Sequence, residues 1–286
     1  MHFLRRLIGR ENPSAPTEIQ DGSGSSSERP RMDVGWVTDA GKVRDHNEDA
    51  ALVITAAHDA RQAHPPFGLL VLADGMGGHR AGEVASSLAA RVAAHHITRR
   101  SYLPSLLGPE QDARRPALTE VLIDAVQAAN QTVSEEVPGS GTTLICALVL
   151  ETQAYIAHVG DSRAYVITED GMKQITHDHS IVDRLVDTGQ LTPEEAAEHP
   201  QKNVLYRAIG QGGALDVDTH VHKVGAGDYL LLCSDGLWGL VSETTMVDLI
   251  REAPSLQEAC RQLVTAANDA GGSDNITAIL WRSPLG

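Results

Sequence analysis

The stretch from Leu69 to Gly78, LLVLADGMGG, constrains the fold more than any other part of this 286-residue chain. It begins with four large apolar residues without a polar interruption, a pattern typical of a buried strand. Asp74 follows almost at once, so the chain carries a carboxylate from the core to the rim of a sheet. Gly75 and Gly77 let the backbone turn tightly there and bring its carbonyl oxygens close to a bound group. Hard divalent cations take carboxylate and carbonyl oxygens together, so the stretch favours a metal site, with an ordinary strand and glycine turn as the alternative.

The composition limits the class of protein. At 42% hydrophobic residues the chain can bury a substantial core, and it contains no run long and apolar enough to cross a bilayer. The net charge of −15, from 38 acidic and 23 basic residues, disfavours nucleic acid as a partner, because phosphate backbones are bound by stripes of lysine and arginine. A phosphate-bearing substrate would therefore need a local source of positive charge, which metal ions held by the excess carboxylates would supply.

The ends of the chain and its cysteines indicate compartment and domain organisation. Residues 1–31 are rich in proline, glycine and serine and poor in large apolar side chains, so we expect a disordered tail followed by one folded domain over residues 32–286. Cys146, Cys233 and Cys260 are odd in number and widely spaced, which argues against both a disulfide framework and a zinc knuckle. We expect reduced cysteines in a soluble, cytoplasmic protein.

The order of predicted elements favours an α+β fold. Strands are expected near both ends of the chain and in quick succession from residue 141. Helices are expected over residues 81–98, where Val84, Leu88 and Val92 would form the apolar face, and over residues 117–137. A short helical excursion is expected at about 177–206. Strands grouped with strands, and helices in pairs, argue against alternating βαβ units.

Four turns place an aspartate beside a small or turn-forming residue, next to an apolar strand. The aspartates are Asp74, Asp161, Asp235 and Asp274. Each alone is usually a turn former. Carboxylates that meet at one rim would repel each other unless cations lie between them, so together they suggest a metal centre.

Residues 43–49, VRDHNED, add an arginine and further acids. The guanidinium of Arg44 can bind a phosphate in two places, and acids just beyond it can order water around a metal ion. A solvated run of surface charge is the alternative for this segment.

Six short motifs occur in order: Arg44-x-x-Asn47-Glu48-Asp49, Ala73-Asp74-Gly75-Met76-Gly77-Gly78, Ser140-Gly141-Thr142-Thr143, Gly160-Asp161-Ser162-Arg163, Cys233-Ser234-Asp235-Gly236-Leu237 and Asp274-Asn275-Ile276-Thr277. Together they resemble the metal-dependent Ser/Thr protein phosphatases of the protein phosphatase 2C type, the PPM family, in their bacterial form. Each motif is weak alone, but the joint pattern across residues 34–280 is specific. The resemblance implies a central sandwich of two mainly antiparallel β-sheets flanked by helix pairs, with metal ions in a cleft at one end.

The resemblance also implies a set of ligands for Mn²⁺ or Mg²⁺, two ions and a third, weaker one. Asp74 would bridge the two ions, the carbonyl of Gly75 would join one, and Asp235 and Asp274 would complete the other. Asp161 would help to hold the third ion together with Asp235.

The remaining predicted roles concern water, phosphate and protons. Glu48 and Asp49 would act through bound waters, and Arg44 would bind the phosphate. Animal members of the family have a histidine after the loop glycine as a candidate general acid, whereas Met76 occupies that position here and cannot donate a proton. We expect a metal-bound water to protonate the leaving group, with His79 as the less favoured alternative.

These observations predict a phosphatase that hydrolyses phosphoserine and phosphothreonine on proteins by direct attack of a dimetal-activated water. No cysteine lies in a phosphate loop, as a Cys-type covalent phosphatase would require. We expect a monomer whose partners are phosphorylated proteins, including a Ser/Thr kinase, and whose 177–206 excursion is a flap that influences substrate choice. The alternatives are a dimetal phosphohydrolase of small phosphate esters or phosphotyrosine, and an inactive phosphoprotein-binding scaffold.

Overall fold

Two β-sheets lie face to face at the centre of the molecule, with helices on their outer faces. The computed structural model describes residues 32–56, 66–77, 81–106 and 116–284. The predicted tail over residues 1–31 and the alternative acid His79 lie outside these ranges. In the described part of the chain, no helix is long and apolar enough to span a bilayer.

Eleven strands make up the two sheets in the described residues. They are β1 (Asp33–Asp39), β2 (Asp49–Ala56), β3 (Phe67–Met76), β4 (Gly141–Thr142), β5 (Leu144–Leu150), β6 (Gln153–Val159), β7 (Arg163–Thr168), β8 (Gly171–Gln174), β9 (Asp218–Lys223), β10 (Tyr229–Cys233) and β11 (Ile276–Arg282). One sheet has the order β1-β11-β10-β7-β8, and the other has the order β2-β3-β5-β6-β9 with β4 paired to β3. Neighbouring strands pair antiparallel, which confirms the predicted architecture.

The apolar run of β3 is continuous because both faces of its sheet are buried. Leu70 and Leu72 pack between the two sheets, against a cluster that includes Trp281 of β11. Leu69 and Val71 point the other way and pack under the helices. A strand covered on both faces needs apolar side chains at successive positions, so the alternation expected of a half-exposed strand is absent here.

The helices cover the outer faces of the sandwich and the connections between strands. They are α1 (Ala81–Ile97), α2 (Leu103–Ser105), α3 (Leu118–Glu136), α4 (Ile181–Asp187), α5 (Pro193–Ala197), α6 (Asp235–Trp238), α7 (Glu243–Glu252) and α8 (Leu256–Asp269), with one π-helical turn at Thr98–Tyr102. The pair α1 and α3 packs on the β3 sheet, and the pair α7 and α8 packs on the β11 sheet.

The apolar face predicted for α1 was wrong in one respect. Val84 is 49% exposed, whereas Ala85, Ala89 and Ala93 are fully buried. The helix lies close to β3 and α3, and small alanine side chains permit that approach where larger ones would need more space. Leu88 and Val92 do pack against the core, as predicted, but hydrophobic periodicity ranks valine above alanine and therefore placed exposed Val84 on the buried face.

The predicted helical excursion is present as α4 and α5, and we call residues 177–206 the flap. Thr192 caps α5 through a reciprocal capping box with Glu195. The base of the flap is closed by a bridge between Ser180 and Leu205. The flap therefore leaves and re-enters the sandwich at neighbouring points.

Candidate functional site

A cavity of about 190 Å³ lies where several strand ends meet. Its lining residues are Arg44, Glu48, Asp74, Gly75, Met76, Gly77, Thr143, Asp161, Asn203, Leu205, Asp235 and Asp274. All but one of the residues predicted for the site are in this set, and the exception, Asp49, lies opposite Asp74 in the paired strands β2 and β3. Two cavities of about 630 Å³ elsewhere on the surface gather no comparable set of carboxylates from the described residues.

Asp49 and Asp74 face each other across the paired strands β2 and β3. Directly opposed residues of an antiparallel pair project to the same side, so both carboxylates approach one region. Asp49 is buried, and its Oδ2 accepts hydrogen bonds from the hydroxyls of Ser234 at 2.8 Å and Thr277 at 2.6 Å. Its Oδ1 has no hydrogen-bond partner among the described residues. Burial, with the charge of Asp235 adding to it, raises the pKa of Asp49 to about 7.

The backbone of Asp74 is held by the two threonines that join β4 to β5. The Asp74 amide donates to the hydroxyl of Thr143 at 2.9 Å, and the Thr143 amide donates to the Asp74 carbonyl at 2.8 Å. The hydroxyl of Thr142 donates to the same carbonyl at 2.8 Å. Both threonines belong to one of the six sequence motifs, but their positioning role was not predicted because it depends on contacts between residues far apart in the chain.

Asp161, Asp235 and Asp274 converge on the cavity from three separate turns, and burial raises the pKa of three of the cavity acids, Asp74, Asp161 and Asp235. Burial, followed by the charges of Asp49 and Asp235, raises the pKa of Asp74 well above its ordinary value. Burial and the charge of Asp235 raise the pKa of Asp161 to about 8. Burial and the charge of Asp274 raise the pKa of Asp235 to about 6, although a hydrogen bond with Asp74 opposes the shift. The shared cause is that like charges are held together away from water, which bound cations would relieve.

Arg44 lies at the rim of the cavity and is about half exposed. Its Nη2 donates to Asp274 Oδ2 at 2.7 Å. The segment that carries Arg44 is held by Asn275, whose Oδ1 accepts from the Glu48 amide at 2.8 Å and whose Nδ2 donates to the His46 carbonyl at 2.9 Å. Asn275 belongs to one of the six sequence motifs, but this positioning role was not predicted.

The carboxylate of Glu48 lies against the first turn of α1. A Cβ on Gly82 would lie 2.7 Å from Glu48 Cδ, and a Cβ on Gly75 would lie 2.3 Å from the Gly82 carbonyl oxygen. Gly75 therefore has no room for a side chain beside this backbone, and a side chain at Gly82 would displace the Glu48 carboxylate, so the three residues form one close contact. Burial raises the pKa of Glu48. The role of Gly82 was missed, although a glycine in the first turn of an alanine-rich helix is a weak signal of such a contact.

The chemistry of the cavity suits hard divalent cations. The lining offers carboxylates and carbonyl oxygens but, among the described residues, neither histidine nor cysteine, and oxygen donors are what Mg²⁺ and Mn²⁺ prefer. Ligand atoms from three of these acids do not all lie within 4.8 Å of one another. In the described residues His177, Asp183 and Asp187 of the flap reach that convergence. The acids of the cavity are therefore not drawn together as tightly as the three flap residues.

A protein-family model described as "Protein phosphatase 2C" matches residues 44–280. The chain is 40% identical over 249 residues to "Serine/threonine phosphatase stp" of Listeria welshimeri, covering 87% of this chain and 95% of that protein. It is 36% identical to "Protein phosphatase PhpP" of Streptococcus pneumoniae, covering 87% of this chain and 96% of the relative.

Solved structures with the same fold include two of related phosphatases. The Mycobacterium tuberculosis serine/threonine phosphatase PstP/Ppp has a TM-score of 0.72 at 34% identity, covering 89% of this chain and 99% of that one. The catalytic domain of serine threonine protein phosphatase PstP, solved in complex with two manganese ions, has a TM-score of 0.69 at 32% identity, covering 89% of this chain and 99% of that one.

Proposed function

Because the chain belongs to the protein phosphatase 2C family, we propose that it is a metal-dependent phosphatase that hydrolyses phosphoserine and phosphothreonine on proteins. The observation that carries the proposal is the convergence of Asp74, Asp161, Asp235 and Asp274 on one cavity, with Arg44 at its rim. Anionic side chains alone would repel a phosphate, so the site needs cations before it can bind that substrate.

The donor set fits two divalent ions, Mn²⁺ or Mg²⁺, with a third bound more weakly. Asp74, the Gly75 carbonyl, Asp235 and Asp274 would hold the first two, and Asp161 with Asp235 would hold the third. Glu48 and Asp49 would act through water, and the unpartnered Oδ1 of buried Asp49 supports this because a buried carboxylate oxygen without a partner is costly. Ions bound there would neutralise the phosphoryl group and activate the attacking water.

The chain's own residues contribute binding and orientation. The guanidinium of Arg44 presents a planar set of donors that can bind two phosphate oxygens at once. To do so it would turn from Asp274, with which it is paired at 2.7 Å. Thr143 fixes the backbone that aims Asp74, and Asn275 fixes the segment that aims Arg44 and Glu48. The thioether of Met76 lines the cavity but offers no proton.

We extend the proposal to partners and organisation. The substrates would include a Ser/Thr kinase, and the protein would act as a cytoplasmic monomer with residues 32–286 as its single catalytic unit. The names of the relatives support phosphoprotein substrates. Light scattering after size exclusion tests the monomer, and incubation with an autophosphorylated bacterial kinase domain tests the kinase as a substrate.

The decisive experiment is Mn²⁺-dependent release of phosphate from a phosphothreonine peptide by the wild type and by Asp74→Asn. We expect activity in the wild type alone, and its loss in EDTA. Equal activity in both proteins, or activity that survives EDTA, would falsify the mechanism. Faster turnover of nucleotides or phosphotyrosine peptides than of the phosphothreonine peptide would favour a small-ester or phosphotyrosine hydrolase. Binding without turnover would favour an inactive scaffold.

A further inference from the structure

A second cavity, of about 520 Å³, opens beside the catalytic cavity and continues from it. Four residues line both spaces: Asp161, Asn203, Asp235 and Asp274. We call the part that extends away from these residues, between the flap and the sandwich, the flap groove. A chain whose phosphorylated residue occupies the catalytic cavity can therefore enter the flap groove without leaving the protein surface.

The walls of the flap groove are mainly apolar. On the flap side they are formed by Val182, Val186, Pro193, Ala196 and Ala197, and on the side of the sandwich by Trp238, Gly239 and Leu240. This composition contrasts with the carboxylates at the shared end and is typical of a surface that receives an apolar side chain.

Two of the charged groups that line the flap groove are paired with each other, because Asp178 receives the guanidinium of Arg163 at 2.8 Å. Asp183 lies 3.1 Å from His177, and Lys202 also lines the groove. The apolar walls, and not these charges, therefore favour an apolar occupant.

The floor of the flap groove is fixed to the catalytic cavity. The indole Nε1 of Trp238 donates to the carbonyl of Asp161 at 3.1 Å, and the Arg163 guanidinium lies 3.5 Å from the centre of the indole ring. Arg163 is in turn held by Asp178. A substrate side chain that packs on Trp238 would contact a residue that is hydrogen-bonded to the backbone of the proposed metal ligand Asp161.

We propose that the flap groove binds an apolar side chain that flanks the phosphorylated residue of the substrate protein. The inference rests on the proposed function and adds a substrate class to it, namely phosphoproteins with a leucine-sized apolar residue near the phosphorylation site. Continuity with the catalytic cavity identifies the occupant as the substrate chain itself.

The test measures kcat/KM on a phosphothreonine peptide flanked by alanines and on derivatives that each carry one leucine in place of a flanking alanine. We expect leucine at one position to raise kcat/KM about tenfold, mainly through KM. In Ala197→Phe, which places a ring at the exposed wall of the groove, the ratio of leucine to alanine peptide should fall to about one. The matched control is Glu198→Phe, an exposed neighbour that does not line the groove, and it should keep the wild-type ratio.

The ratio compares two peptides on one protein, so partial unfolding of a variant does not alter it. Each protein's rate on p-nitrophenyl phosphate, which is too small to reach the groove, serves as the reference. If the wild type hydrolyses this compound and the peptides but shows no preference for leucine at any position, the proposal that the groove binds an apolar side chain is wrong. The proposal is also wrong if Ala197→Phe keeps the wild-type preference for leucine. A wild type that hydrolyses none of them overturns the proposed function, and the groove with it.

Discussion

His179 and Gly160 are joined by two hydrogen bonds, one through each backbone amide. The Gly160 amide donates to His179 Nδ1 at 3.0 Å, and the His179 amide donates to the Gly160 carbonyl at 2.9 Å. Because Nδ1 accepts, the ring proton of the neutral imidazole lies on Nε2, which faces Asp218 Oδ2 at 3.2 Å. His179 is 1% exposed. It therefore connects the base of the flap to the residue before Asp161.

This arrangement predicts that the two ends of the His179 ring contribute differently to the site. Asn places an acceptor near Nδ1 and keeps the bond from Gly160, whereas Gln places its amide near Nε2 and leaves the buried Gly160 amide unpaired. We expect His179→Gln to lower kcat and Mn²⁺ affinity about tenfold and His179→Asn to lower them less. Calorimetric Mn²⁺ titration and kcat measurements would check this order. Equal losses in both variants would mean that His179 matters only for packing.

Asp74→Asn should abolish activity and at the same time stabilise the metal-free protein. The folded state holds Asp74 near Asp49, Asp235, Asp161 and Asp274, which raises its pKa and penalises its charge. A neutral amide of the same shape removes that repulsion. In EDTA the midpoint of thermal unfolding should rise by about 2 to 4 °C, which corresponds to about 1 kcal/mol in a domain of this size.

The control for this prediction is Asp178→Asn, because Asp178 is buried but paired with Arg163. Its substitution should lower the unfolding midpoint, since it weakens a buried ion pair. A lower midpoint for Asp74→Asn would mean that the charge of Asp74 stabilises the fold, which would contradict the repulsion inferred among the carboxylates of the cavity.

The fold and the acids of the site could be predicted from sequence, whereas the residues that position them could not. Apolar runs bounded by turns identified β3 and β10, and the motifs that follow them identified Asp74 and Asp235. Thr143 is hydrogen-bonded to Asp74, which lies 69 positions away in the chain, and Asn275 is hydrogen-bonded to Glu48, which lies 227 positions away. No local pattern encodes such pairs. The helix α7 was not predicted, although its buried residues Met246, Val247 and Ile250 lie on one face.

Arg44 should affect substrate binding more than stability. Its side chain is about half exposed, and exposed ion pairs contribute little to the free energy of unfolding. Arg44→Lys keeps the charge but loses the planar set of donors, so we expect KM for a phosphothreonine peptide to rise about tenfold while the unfolding midpoint stays unchanged. Inhibition by inorganic phosphate should weaken in parallel.

Arg44→Met removes the charge as well as the donors and should raise KM further than Arg44→Lys does, and Lys42→Met is its matched control. Lys42 is an exposed cation two residues away whose ion pair, with Asp269 at 3.5 Å, lies outside the cavity. The Lys42 variant should keep the wild-type KM and phosphate inhibition. If Lys42→Met and Arg44→Met raise KM equally, Arg44 acts through the electrostatic field of the protein surface and not by contact with the phosphate.

The flap should become less stable as the pH rises, through His177. Its Nε2 lies 2.8 Å from Asp187 and 3.1 Å from Asp183, both on α4. Partial burial lowers the pKa of His177, but the hydrogen bond to Asp187 and the charges of Asp183, Asp187 and Asp178 outweigh it and raise the pKa above its ordinary value. A histidine whose pKa is higher in the folded state than in the unfolded state stabilises the folded state. This contribution is complete below the pKa of the unfolded state, about 6.5, and is lost as the pH rises through the pKa of the folded state. Hydrogen-exchange protection of the α4 amides should therefore fall about twofold between pH 6 and pH 8. In His177→Gln the protection should be independent of pH over that interval, and an unchanged pH dependence in this variant would assign the effect to another group.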